Sequence, residues 1–80
     1  MFDFKYSNPA IKSLKKLDFS TMERIRNSIS KIPNGDIKRL QGDTPRIFFR
    51  LRVGKFRVIF RIIEQTVYID KIDTRGDIYK

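Results

Sequence analysis

The 80-residue chain contains no cysteine and no histidine. Without cysteine, neither a disulfide nor a thiolate metal site can support a small core. Without histidine, it lacks the commonest metal ligand and the usual general base near neutral pH. The Asp and Glu residues, 9 in all, are scattered along the chain, so a carboxylate metal site is not expected either. Nothing in the sequence asks for a cofactor. The N-terminus MFDFKYSNPAIKS has no basic region followed by an apolar run, which argues against a signal peptide. The longest apolar stretches fall well short of the roughly 20 residues that span a bilayer. A soluble, cytoplasmic protein is the expectation.

What the chain does have is positive charge. Lys and Arg number 18, giving a net charge of +9 and a pI of about 10.3. Such an excess points to a polyanionic partner, either nucleic acid or an acidic protein. The length suits one domain over residues 1–80, and a chain this short buries only about 60% of its unfolded surface.

Local patterns assign the elements. Residues 2–6 read FDFKY and alternate strictly, placing Phe2, Phe4 and Tyr6 on one face of a half-buried strand. Asn8-Pro9 reads as a helix start, with Asn8 as N-cap and proline at the first helical position. Ile11, Leu14 and Leu17 share one side of that helix. A second helix is expected from near Ser20, which has capping-box spacing to Glu23. Its apolar stripe is Met22, Ile25, Ile29 and Ile32, and Pro33-Asn34-Gly35-Asp36 ends it. Residues 37–46 read as a connection with room for one short extended piece. Strands are expected over 47–53, 56–63 and 66–72, with turns at Gly54-Lys55 and Glu64-Gln65. The fold class is α+β: an N-terminal strand, two helices, then a three-stranded antiparallel meander, with the helices packed on one sheet face.

The hairpin RLRVGKFRVIF (50–60) is the most informative stretch. A two-residue turn with glycine first is a type II′ turn, which sets the register because side chains alternate. Val53 then faces Phe56, Leu51 faces Val58, Phe49 faces Phe60 and Ile47 faces Ile62. This apolar face belongs against the helices. On the other face Arg52 lies opposite Arg57, Arg50 opposite Ile59 and Phe48 opposite Arg61. Like charges placed directly opposite cost roughly 0.2–1 kcal/mol per pair. No acidic residue lies between Thr44 and Ile63 to offset them. One reading is a solvated face that keeps the sheet soluble and discourages edge pairing. The other rests on residue type: arginine occupies positions 46, 50, 52, 57 and 61, and its planar fork of donors suits phosphate oxygens. In the tail, Tyr79 has two fates from spacing alone: packing on the sheet edge, or meeting a nucleic acid by stacking on a base or hydrogen-bonding a phosphate.

Strand, two helices, the run from Phe49 to Phe60, a further strand and the tail Thr74-Arg75-Gly76-Asp77-Ile78-Tyr79 together resemble the RelE/ParE toxin superfamily of toxin–antitoxin systems. The resemblance covers essentially the whole chain and is most specific over Phe49–Phe60 and Arg75–Tyr79. It implies a fold similar to small microbial RNases. For the RelE branch it implies a metal-independent endoribonuclease that cuts mRNA in the ribosomal A site, by attack of a 2′-hydroxyl on the adjacent phosphate. By position, Arg50 and Arg52 match the basic pair of the first meander strand. Arg57 matches the arginine expected on the scissile phosphate, Arg75 the basic tail residue and Tyr79 the near-terminal tyrosine. Arg39, Arg46, Lys55, Arg61 and Lys71 complete the expected RNA-binding set.

Two departures stand out. Many members carry histidine where this chain has Thr74, and a basic residue where it has Gln41, with Arg39 two positions earlier. Arginine at 50 and 52 positions a phosphate but hardly gives up a proton. The resemblance leaves open a ParE-like toxin that poisons DNA gyrase, and a degenerate member that only binds RNA or an antitoxin. It implies a RelB-like antitoxin partner, the ribosome and mRNA, no membrane, and a monomeric toxin within a toxin–antitoxin hetero-oligomer. The antitoxin has two routes to inhibition: covering Arg50, Arg52 and Arg57, or displacing the segment that carries Tyr79.

Overall fold

A computed structural model describes residues 2–40 and 47–74. Strand β1 (Asp3–Tyr6) leads into helices α1 (Asn8–Lys15) and α2 (Phe19–Ser30). Strands β2 (Ile37–Arg39), β3 (Phe49–Val53), β4 (Phe56–Ile63) and β5 (Thr66–Thr74) follow. The α+β expectation holds, but the sheet has five strands in the order β1-β5-β4-β3-β2. The first strand lies parallel to the last, while the other neighbours are antiparallel. No helix among the described residues is long and apolar enough to cross a membrane.

Both helix starts sit earlier than expected. Ser7, not Asn8, caps α1: its Oγ accepts from the Ala10 N–H at 3.1 Å and donates to the Asp70 carbonyl at 2.8 Å. One hydroxyl thus closes the helix end and ties it to β5, and Pro9 moves one place into the first turn. Asp18, not Ser20, caps α2. Its carboxylate accepts from the Thr21 N–H at 3.2 Å, the Thr21 Oγ1 at 2.6 Å and the Ser20 Oγ at 2.7 Å. Ser20 therefore spends its hydroxyl on the cap instead of forming a box with Glu23. The bonds from Thr21 and Ser20 hold the Asp18 carboxyl at a pKa of about 2, below the usual carboxylate range.

The helices cover one sheet face, α1 against β5 and α2 against β3. Ala10, Leu14, Ile25 and Ile29 of the helices, with Ile32 just past α2, meet Leu51, Val53, Phe56, Val58, Phe60, Val67, Ile69 and Ile72 in the core. Phe49 stacks on Phe60 at 5.5 Å between ring centres. The hairpin register is the expected one from Phe49↔Phe60 to Val53↔Phe56. Gly54 takes φ 59°, the left-handed conformation that the first place of a II′ turn requires. An added Cβ there would also strike the Arg24 guanidinium of α2.

Two details differ from the sequence reading. Strand β3 begins at Phe49, so Ile47 does not pair with Ile62 nor Phe48 with Arg61. Ile47 is half exposed, and the Phe48 carbonyl instead accepts from the Leu40 N–H at 2.8 Å. The short extended piece expected within 37–46 is the three-residue edge strand β2. Finally, the β4–β5 register shifts between Ile59, which pairs with Lys71, and Phe60, which pairs with Ile69. Asp70 is the extra residue of this bulge.

Candidate phosphate-binding face

Register assigns the face turned away from the helices. Its upper row runs Arg52, Arg57, Asp73 across β3, β4 and β5. The next row runs Lys38, Arg50, Ile59, Lys71 from β2 to β5. Below the bulge come Arg61, Tyr68 and, on β1, Lys5. Side chains directly opposite on neighbouring strands have Cβ atoms roughly 5 Å apart, so Arg52 and Arg57 can grip one phosphate between them. Arg52 is exposed and Arg57 half-buried. Arg52 is thus the outward member of the facing pair and Arg57 the recessed one.

No acid lies between Thr44 and Ile63 in the chain, yet the fold brings three to the arginines of this face. Asp36 places its Oδ1 3.9 Å from the Arg50 Nη2, while its carbonyl accepts from the Arg52 N–H at 3.0 Å. The Arg50 side chain is only 13% exposed, so it underlies the face more than it projects from it. The bulge aspartate, Asp70, takes Arg61 in a two-pronged pair, Nε to Oδ2 at 2.8 Å and Nη2 to Oδ1 at 3.0 Å. Those hydrogen bonds raise the pKa of Arg61, and its guanidinium also lies 5.2 Å over the Tyr68 ring. The third acid, Asp73, is the direct β5 partner of Arg57.

The expected site residues separate into groups. Arg50, Arg52 and Arg57 come together on one face, with Lys71 and Arg61 beside them. Arg61 is committed to Asp70, and the Lys71 Nζ lies 3.5 Å from the Asp73 Oδ2. Lys55 sits in the turn, its Nζ 5.9 Å over the Phe56 ring. Arg39 pairs with Phe49 and so shares the helix-side face at the sheet edge, away from the other arginines. Arg46, Arg75 and Tyr79 lie outside the described residues, as does Gln41. Lys38, opposite Arg50, is a cation of this face that the sequence reading does not select, because it assigns no register to the short extended piece within 37–46. Among the described residues no three acidic side chains gather into a metal site.

A groove opens on the helix side. Phe4, Tyr6, Glu23, Arg26, Asn27 and Ser30 line an open groove of about 410 Å³ between β1 and α2. Burial pushes the Tyr6 phenol above its ordinary pKa, partly offset by the charge and hydrogen bond of Arg26.

Known proteins resemble this chain over nearly its full length. The family model for the ParE toxin of the type II toxin–antitoxin system parDE matches residues 4–79. A putative toxin RelE1 of Methanocaldococcus jannaschii is 30% identical, over 99% of this chain and 96% of that protein. Among solved structures, the RelE–RelB complex of Pyrococcus horikoshii superposes with a TM-score of 0.74 at 24% identity, covering 94% of this chain and 96% of that one. The toxin–antitoxin complex RelBE2 of Mycobacterium tuberculosis gives 0.76 at 24% identity, over 92% and 98%. At those identities the solved structures establish the fold, and the near-complete family match establishes the lineage: the chain belongs to the RelE/ParE superfamily of toxins.

Proposed function

We propose that this protein is the toxin of a type II toxin–antitoxin pair and a metal-independent endoribonuclease that cuts mRNA in the A site of the ribosome. The observation that carries the reading is Arg52 directly opposite Arg57 on the face that the helices leave open. Two guanidiniums on neighbouring strands offer their donors to one anion. Phosphate oxygens fit that position. In the reaction a nucleotide's 2′-hydroxyl attacks the adjacent phosphorus in line with the departing 5′-oxygen. Arg57 binds the scissile phosphate and Arg52 shares the charge that builds up on its oxygens, an electrostatic contribution set before the reaction starts. Arg50 and Lys38 extend the positive field along the strand direction of the RNA. Arg75 and Tyr79 are assigned by resemblance to the same phosphate and to the base or ribose.

The partner that restrains this activity is a RelB-like antitoxin, a reading supported by relatives solved as toxin–antitoxin complexes. A surface at +9 draws an acidic partner and speeds its association.

The test is primer extension on a defined mRNA held on ribosomes in the cytoplasmic range of ionic strength. Wild-type protein is expected to cut in the A site, and Arg57→Ala to lower cleavage about a hundredfold or more while melting normally. A second reading rests on the matching ParE family model: a toxin that poisons DNA gyrase and cuts nothing. Folded wild-type protein that arrests growth but leaves ribosome-bound mRNA intact supports that second reading.

A further inference from the structure

The proposed nuclease has no histidine, and arginine does not accept a proton, so the base that activates the 2′-hydroxyl must be another group. We propose that Asp73 is that base; this rests on the nuclease reading above.

Three observations select it among the described residues. First, position: Asp73 is the cross-strand partner of Arg57, one strand spacing of about 4.8 Å from the phosphate-binding arginine. The attacking 2′-oxygen stands roughly 3–3.5 Å from phosphorus in a reactive geometry, so a base must lie beside the phosphate site. Second, access and environment: the Asp73 side chain is 22% exposed, while one of its oxygens, Oδ2, is buried and makes no hydrogen bond among the described residues. Lys71 approaches the same oxygen at 3.5 Å, an ion-pair distance without hydrogen-bond geometry. A buried carboxylate oxygen left without a donor is costly, and such atoms call for a functional explanation. Third, the other carboxylates near this face are occupied or displaced. Both oxygens of Asp70 hold Arg61, and Asp36 is 59% exposed beside Arg50. Asp3 lies on the far strand, opposite Thr66.

The step balances within the substrate, the protein and water. The Asp73 carboxylate takes the 2′-hydroxyl proton as the 2′-oxygen–phosphorus bond forms. The phosphorus–5′-oxygen bond breaks, and the leaving oxygen takes a proton from water. The products are a 2′,3′-cyclic phosphate and a free 5′-hydroxyl, and Asp73 returns its proton to solvent. The charged groups that face this carboxylate are Arg57 on β4, Arg52 beyond it on β3 and Lys71 on its own strand.

A structural role would make Asp73 only the counter-ion that steadies Arg57. Single-turnover cleavage on mRNA-programmed ribosomes, followed across the acidic pH range, separates the two. Asp73→Asn is expected to cleave roughly 10²–10⁴-fold more slowly and to lose the rise of rate with pH on the acidic limb. Asp73→Glu is expected to recover that limb. Asp73→Ala is expected to regain cleavage on addition of formate, a small carboxylate that supplies a base and no tether. This last variant decides the question if Asp73→Asn does not fold. Cleavage by Asp73→Asn near the wild-type rate, or an unchanged acidic limb in it, overturns the assignment and leaves the nuclease reading standing. So does an Asp73→Ala protein that formate does not accelerate. A folded wild-type protein that cuts nothing ends both.

Discussion

The two faces of the same three strands, β3 to β5, are held by opposite means. On the helix side Leu51, Val58, Phe60, Val67 and Ile69 are each at or near zero exposure and depend on neighbours of their own kind. Any apolar side chain of about the right size contributes there, and burial is rewarded in proportion to area. On the open side Arg50, Arg61 and Arg57 each lie beside one particular acid, Asp36, Asp70 and Asp73. Area explains little of that face; partner identity explains most of it. The core therefore tolerates conservative exchange and the charged face does not, since arginine to lysine keeps the charge but loses the fork.

The largest break of this contrast is in the core. Phe60→Ala removes a fully buried ring that stacks on Phe49 and is expected to cost about 3–5 kcal/mol. For a domain this small that is a large share of its total stability. Urea unfolding checks it: the midpoint falls steeply, and cleavage disappears with the fold. A loss below about 1 kcal/mol would show that the core repacks freely around the gap.

On the charged face the matching change is Asp70→Asn. It leaves the bulge carbonyl bonded to Ser7 but replaces one prong of the Arg61 pair and removes the opposing charge. The pair is about a quarter exposed, so solvent screens it and the cost is expected near 1–2 kcal/mol, below that of a fully buried pair. Thermal melts at low and high salt measure it. The difference from wild type should shrink as salt rises, whereas the Phe60→Ala deficit should not. Equal salt dependence in the two variants would erase the distinction drawn between the faces.

How much of this was legible in the sequence follows from the range of each interaction. Alternation in Phe49–Val53 and Phe56–Ile63 revealed the hairpin, its register and its apolar face, because neighbours across a two-residue turn are neighbours in sequence. The clamp pair Arg52 and Arg57 came with it. The parallel pairing of β1 with β5 joins residues more than sixty positions apart, and nothing local in FDFKY or TVYID encodes it. The same is true of the acids. Asp36 lies before a segment read as connection, and Asp70 and Asp73 sit on a strand whose register depends on a bulge. Asp18 is a subtler case. Ser20 and Glu23 have capping-box spacing, but only Lys16, Leu17 and Asp18 separate the two helices, so α2 starts at the first residue able to cap it.

That cap has a pH signature. The Asp18 carboxyl titrates at about 2 in the folded chain, below its ordinary 3.8. Because the folded value is depressed, its stabilising contribution is complete above the ordinary value and is lost as pH falls through about 2. Asp18→Ala is expected to melt below wild type at neutral pH, with the gap narrowing between about pH 4 and pH 2. Melting curves across that range give the answer. A gap that stays constant with pH would mean that the cap acts through chain geometry and not through the ionised carboxylate.

The smallest effect expected is a gain, at the other hairpin turn. Glu64 adopts φ 55°, in the left-handed region, where Cβ crowds the following carbonyl oxygen at a cost of roughly 1–2 kcal/mol. Gly54, at the first place of the preceding turn, meets the same demand without that cost. Asparagine tolerates this region better than glutamate, so Glu64→Asn is expected to raise stability by a few tenths to about 1 kcal/mol. The turn joins β4 to β5, the strands that carry Arg57 and Asp73, yet it lies at the end of the hairpin remote from both. Cleavage by Glu64→Asn should therefore match wild type while its melting temperature rises. A change in cleavage without a change in melting would reveal that the β4–β5 register, and with it the alignment of Arg57 and Asp73, is controlled from the turn.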